Sequence, residues 1–191
     1  TQGLVRVAGL AGLVAGAVSM AAGEYVSMAA QRELLEFEIE RERRELRVNP
    51  QKEIEELARI YENRGIAPPA AADMARGVMD DPERALEVHA REELGVDPEQ
   101  LGNPVEAAAS SFVAFGVGAL LPLIPWFFTG GATAVTISIV LGLIGAIAVG
   151  AGIGLATGRP VSRAVQRQVL LAAGAAAITY AIGALVGTEV G

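Results

Sequence analysis

AAASSFVAFGVGALLPLIPWFFTGGATAVTISIVLGLIGAIAVGAGIGLATG, residues 107–158, contains no Asp, Glu, Lys or Arg. A hydrocarbon core of ~30 Å takes roughly 20 apolar residues as a helix. This stretch therefore holds two spans, about 105–128 and 132–156, turned at Thr129-Gly130-Gly131. Two further uncharged stretches, 7–23 and 168–188, hold one span each, at about 3–28 and 165–186. At 52% hydrophobic the 191-residue chain is only slightly richer in apolar residues than a soluble domain, so the distribution decides the class. The reading is an all-α polytopic membrane protein with four transmembrane helices in a lipid bilayer. Pro122 and Pro125 predict a kink near the far end of the second span. Gly12-x-x-x-Gly16, Gly150-x-x-x-Gly154 and Gly183-x-x-x-Gly187 predict close helix packing.

Between the first span and the second lies a different composition. Residues 31–102 hold 19 of the 22 acidic and 11 of the 15 basic residues. The domains read as 1–30, the first transmembrane helix; 31–103, an inserted Glu-rich helical domain; and 104–191, three further transmembrane helices. No breaker separates the first span from the charged run, so one long helix is expected to reach about Arg47, where Asn49-Pro50 ends it. Pro50 opens a helix closed near Arg64-Gly65, Pro68-Pro69 opens another to about Asp80, and Asp81-Pro82 starts a third that Gly95 ends. Asp97-Pro98 and Asn103-Pro104 repeat the cap-plus-proline signal.

Four alternating spans would put 14 of the 15 Lys and Arg residues on one side, 11 in the inserted domain and three (Arg159, Arg163, Arg167) in the last loop. The positive-inside rule places that side in the cytoplasm and both chain ends outside. Arg6 is the exception, expected to snorkel outward. An N-terminus left outside without a signal peptide leads us to expect a preceding helix. Richness in Ala, Gly and Arg against a single Lys points to a prokaryotic cytoplasmic membrane. With no cysteine, disulfides and thiolate metal sites are excluded. A net charge of −7 argues against a nucleic-acid partner. No nucleophile–base pair, phosphate loop or zinc-protease signature is present, and no prosthetic group is implied. The chain reads as a non-enzyme.

An ionisable group inside a span is costly and is a functional suspect. Glu24 is the one candidate, and Met20, four residues earlier, shares its helix face. A thioether beside a carboxylate suits a transition-metal ion, and the carboxylate also suits a proton. The competing reading puts Glu24 at the interface, where its charge costs little. In the inserted domain three pairs have helical spacing: Glu42 with Glu45, Glu53 with Glu56, and His89 with Glu93. Converging helices would gather five carboxylates and an imidazole, a set that suits Fe²⁺, Mn²⁺ or Zn²⁺. Against this, charge runs on short helices are ordinarily solvated faces. Glu40–Arg44, Glu55–Arg59 and Glu87–Arg91 read as simple i,i+4 ion pairs, and none of them uses the six candidates.

Ser19-Met-Ala-Ala-Gly-Glu24-Tyr-Val-Ser27 with Gln31-Arg32-Glu33 resembles the second-helix signature of the vacuolar iron transporter family. Residues 103–111, running on to 118–125, resemble the start of that family's third helix, and 89–95 resembles the end of its cytoplasmic domain in prokaryotic members. The resemblance covers nearly the whole chain in the right order. It implies a homodimeric exporter of cytosolic Fe²⁺, often also Mn²⁺, driven by exchange for protons. It implies metal ligands at Glu42, Glu45, Glu53, Glu56 and Glu93, with His89 standing where eukaryotic members have a Met. It places the translocation path at Met20 and Glu24. The family has five spans, the first carrying an Asp-Gly motif, and this chain starts after that point. An alternative reading is a membrane-anchored metal-binding or sensing module that does not transport, and a third is a scaffold with a charged docking surface.

Overall fold

The computed structural model describes residues 2–187. Thr1 and residues 188–191, the C-terminal end that the positive-inside rule places outside, lie outside the described residues. Helices run in the order α1 (Gln2–Val48), α2 (Pro50–Asn63), α3 (Pro68–Val78), α4 (Pro82–His89), α5 (Pro104–Leu123), α6 (Pro125–Phe128), α7 (Gly131–Ala156) and α8 (Val161–Gly187). There is no strand among the described residues, and α4 passes directly into a π-helical turn, Ala90–Leu94. Four of these helices, α1, α5, α7 and α8, are long and apolar enough to cross a membrane. The chain forms two compact units, one of residues 1–20 and 110–191, the other of residues 21–109.

In the first unit the apolar side chains point outward. Leu4, Val7, Val14 and Val18 of α1 and Leu170, Leu171, Ile178, Ile182 and Leu185 of α8 are all exposed. Water does not tolerate such continuous apolar faces, whereas lipid does, provided the backbone bonds stay within each helix. Helix α7 meets α8 closely because two glycines let the backbones touch. A Cβ on Gly150 would lie 2.6 Å from Val165 Cα, and one on Gly154 would lie 2.8 Å from Val161 Cα. A Cβ on Gly16 would strike the Phe115 ring, while Gly12 and Gly183 have open space, so only part of the small-residue pattern is used for packing.

The second span is interrupted at one residue, Ile124, at the place where a kink was expected. Helix α5 stops at Leu123 and α6 restarts at Pro125, because neither Pro122 nor Pro125 has an N–H to donate. Carbonyls near this point accept from side chains. Ser138 Oγ donates to Pro122 O at 2.6 Å. Arg6 Nε donates to Trp126 O at 2.6 Å, with its guanidinium 5.8 Å from the Phe127 ring centroid. Arg6, expected to snorkel outward, instead donates to carbonyls of the last turn of α6, which have no intrahelical partner because the helix ends at Phe128.

In the second unit, Leu57, Ala58 and Tyr61 of α2, Ala71, Ala75 and Val78 of α3 and Ala85 of α4 form the core, with Leu46 of α1 packed against it. Alanines dominate, so the helices lie close and the short hydrophobic core positions each element tightly. The proline boundaries hold at Pro50, Pro68, Pro82 and Pro104. Asp81 caps α4 by accepting from Glu83 N at 3.0 Å and Arg84 N at 3.3 Å, and Asn103 accepts from Val105 N at 3.0 Å. Asp97-Pro98 starts no helix. Asp97 accepts from Glu99 N at 3.0 Å and from Arg91 Nη2 at 2.8 Å, which makes it a turn anchored by an ion pair.

Candidate metal centre

Each of the three predicted pairs contributes to one place in the second unit, but unequally. Glu42 of α1, Glu53 of α2, His89 at the end of α4 and Glu93 of the π-helical turn each offer a ligand atom, all within 4.8 Å of one another. Two donors on one ion at ~2.1 Å can be at most ~4.2 Å apart, so closure on a metal needs a contraction of under about an ångström. Glu42 is 3% exposed, Glu53 1% and His89 0%, while Glu93 forms the solvent-facing side.

Burial follows from the sequence register. Ile39, Glu42 and Leu46 follow i, i+3, i+7 on α1, and Ile39 is buried while Leu46 packs on the core. Glu53 precedes buried Leu57 by one turn, and His89 follows buried Ala85 by one turn. The carboxylates thus sit on the apolar stripe of each helix, not on its wet face. Such a placement costs free energy unless every charge finds a partner. Glu42 Oε1 is buried with no hydrogen-bond partner. A buried carboxylate oxygen left unpaired at the mouth of three other donors is what a cation would satisfy.

His89 is oriented for the same role. Its Nδ1 lies 2.8 Å from Ala85 O, a short contact to a group that can only accept, which leaves Nε2, on the longer contact, as the nitrogen to offer a metal. Nε2 lies 3.4 Å from Glu53 O. A backbone carbonyl holding the other ring nitrogen is the usual support for a metal-binding imidazole.

The electrostatics reflect crowded negative charge. Burial raises the Glu42 carboxyl above its ordinary range, followed by repulsion from Glu53; His89 opposes this, and Glu45 and Glu56 add to it. Glu93 is pushed up to about 7, first by desolvation and then by Glu42 and Glu56, with His89 opposing. Glu93 is an exposed residue, yet its carboxyl is desolvated; the two agree if its stem faces solvent and its head faces the cluster.

Glu45 and Glu56 stand outside the tight group. Glu45 lies 3.8 Å from Arg41, and Glu56 lies 3.6 Å from Lys52, whose ammonium also reaches Glu53 at 3.4 Å. Both belong to the wetter side of their helices, where a cation from the same helix reaches them first. Of the three expected ion pairs, Glu87–Arg91 forms. Glu40 pairs instead with Arg43 at 2.6 Å, and Arg59 donates to the Glu55 backbone carbonyl at 3.3 Å. The π-helical turn was not legible, though it carries Glu93. Adjacent Glu92 turns away to Arg64, whose Nη1 donates to Glu92 Oε1 at 2.8 Å. Met20 and Glu24 are both exposed on α1, so neither lines an enclosed passage within this single chain among the described residues.

Helices long and apolar enough to span a membrane define the class, a polytopic helical membrane protein, and a carboxylate–imidazole cluster lies in its second unit. The chain belongs to the VIT family, which it matches over residues 1–184. It is similar to a vacuolar iron transporter of Acanthamoeba castellanii, 42% identical over 154 residues, covering 77% of this chain and 58% of that protein. It is also similar to vacuolar iron transporter 2 of Oryza sativa subsp. japonica, 32% identical over 176 residues (91% of this chain, 72% of that protein). Vacuolar iron transporter 1 of Arabidopsis thaliana is 27% identical over 187 residues, covering 97% and 75% of the two chains. The match spans less than two thirds of the Acanthamoeba protein's length.

Proposed function

We propose that this protein moves divalent iron, and with it manganese, out of the cytoplasm across a membrane in exchange for protons. The cluster of Glu42, Glu53, His89 and Glu93 is the capture site. One observation carries this reading: three carboxylates and an imidazole meet within 4.8 Å, with Glu42 Oε1 buried and unpaired beside them. The names of the relatives, vacuolar iron transporters, support iron as the cargo. Oxygen and imidazole donors without thiolate favour Fe²⁺, Mn²⁺ or Zn²⁺ over a thiol-seeking ion.

Glu45 and Glu56 serve as an outer ring in this proposal. They lie beside Arg41 and Lys52, raise the negative potential at Glu42, and draw cations toward the buried ligands. Metal arriving at Glu93 would displace its proton, since that carboxyl titrates at about 7. Met20 and Glu24, one turn apart on α1, form the path residues, the thioether passing metal and the carboxylate alternating between metal and proton. Their exposure on one chain fits a path completed by a second copy, so the transporting form is a homodimer. Residues 31–103 face the cytoplasm in this arrangement.

Anaerobic Fe²⁺ flux into proteoliposomes carrying the full chain, with internal pH recorded, tests the reading. Wild-type protein moves iron with counter-flow of protons, and Glu24→Gln loses flux while still binding metal. Binding with no flux under any proton gradient would favour the non-transporting metal-binding module instead.

A further inference from the structure

The described residues of the membrane-spanning unit carry positive side chains and no carboxylate side chain to pair with them. Among its described residues, 2–20 and 110–187, there is no Asp or Glu, yet there are four arginines. Arg6 is used by the Trp126 carbonyl. Arg159, Arg163 and Arg167 are exposed, and none makes an ion pair or a side-chain hydrogen bond among the described residues. They are spaced four apart, one in the α7–α8 turn and two on successive turns of one α8 face.

The corner that carries them is rigid. Gly150 and Gly154 bring α7 against the α8 backbone at Val165 and Val161, where any Cβ would collide. Gly158 takes a φ of 64°, a left-handed value that glycine adopts without strain, and Arg159 N returns to Gly154 O at 3.1 Å. Arg163 N and Ala164 N both bond to Pro160 O, at 3.0 and 3.3 Å, closing the first turn of α8. The backbone thereby sets three exposed arginines at the shared end of two helices that are each long enough to cross a bilayer. The dipole favours a cation at Arg159, just past the end of α7, but not at Arg163 and Arg167 on the first turns of α8, where an anion would relieve it. At the end of a bilayer-spanning helix pair the anion at hand is a lipid phosphate, which a guanidinium binds through paired N–H donors.

We propose that Arg159, Arg163 and Arg167 form a binding site for the phosphate of an anionic glycerophospholipid. It holds the α7–α8 hairpin end at the headgroup layer. The site is independent of the metal cluster, and its failure would leave the capture reading untouched.

The test uses the full chain in a neutral detergent, titrated with phosphatidylglycerol, with phosphatidylcholine of the same acyl length, and with inorganic phosphate. Bound lipid is counted by native mass spectrometry and thermal unfolding is followed in parallel. Phosphatidylglycerol should bind and raise the unfolding temperature, while phosphatidylcholine should not. Replacing all three arginines with Gln should weaken phosphatidylglycerol binding by up to roughly a hundredfold, while an all-Lys version retains most of it. Single Gln substitutions should each give about a fivefold loss, which keeps the test valid should the triple variant fail to fold. Equal binding of the two lipids, undiminished binding by the Gln variants, or inorganic phosphate binding as well as phosphatidylglycerol would each overturn the proposal.

Discussion

Four side chains decide what the second unit can do, and two of them make its chemistry pH-dependent. Glu42 and Glu93 both hold protons more tightly than free carboxylates, with Glu93 titrating at about 7. Since a metal must displace that proton, apparent affinity should rise with pH up to about 7 and level off above it. Below that it should fall by up to about tenfold per unit for the one proton of Glu93, and more steeply once Glu42 also protonates. Isothermal titration with Mn²⁺ at a series of pH values checks the slope. Stability of the metal-free protein carries the opposite sign. A raised carboxyl binds more protons folded than unfolded, so the stability it lends is lost as pH rises from the ordinary carboxylate range through about 7. Glu42→Gln removes a buried unpaired charge, so it should unfold metal-free protein at a higher temperature than wild type while abolishing the stabilisation given by Mn²⁺.

Helices and their breaks set where those side chains point, and this was the most readable level of the sequence. Prolines at 50, 68, 82 and 104 open helices because a first-turn position needs no N–H, and that rule is local. The same locality put the long α1 through both a membrane span and a charged run, with nothing between to end it. Less legible was the balance between two uses of one pattern. Spacing grouped Glu42 with Glu45 and Glu53 with Glu56, yet one member of each pair falls on the core stripe and the other beside a cation. The signal was present in the apolar residues one turn away, Leu46 and Leu57, which mark the inward face. The Arg6 bond to Trp126 O had no such signal, since it joins segments distant in sequence, and no spacing in the sequence marked the π-helical turn. At this scale the α7–α8 contact gives a stability prediction. Gly154→Ala places a methyl 2.8 Å from Val161 Cα, a backbone atom that cannot give way cheaply. A loss of about 1–3 kcal/mol is expected, seen as a lower unfolding temperature in detergent. Gly12→Ala, with open space around it, should change little.

For the whole molecule, the sequence was clear on class because charge is segregated so sharply: 19 of 22 acidic residues lie in residues 31–102. Sequence spacing could nominate ligands but could not bring three separate helices and a π-turn to one point. That convergence is the structural result on which the functional account stands. Its central claim is that the cluster binds a divalent transition metal, and anaerobic titration of the full chain with Fe²⁺ tests it most directly. Wild-type protein should take up iron with a Kd that weakens at least tenfold in Glu53→Gln and in His89→Ala, and only slightly in Glu45→Gln. Iron uptake that is the same in Glu42→Gln, Glu53→Gln and His89→Ala as in wild type would contradict it.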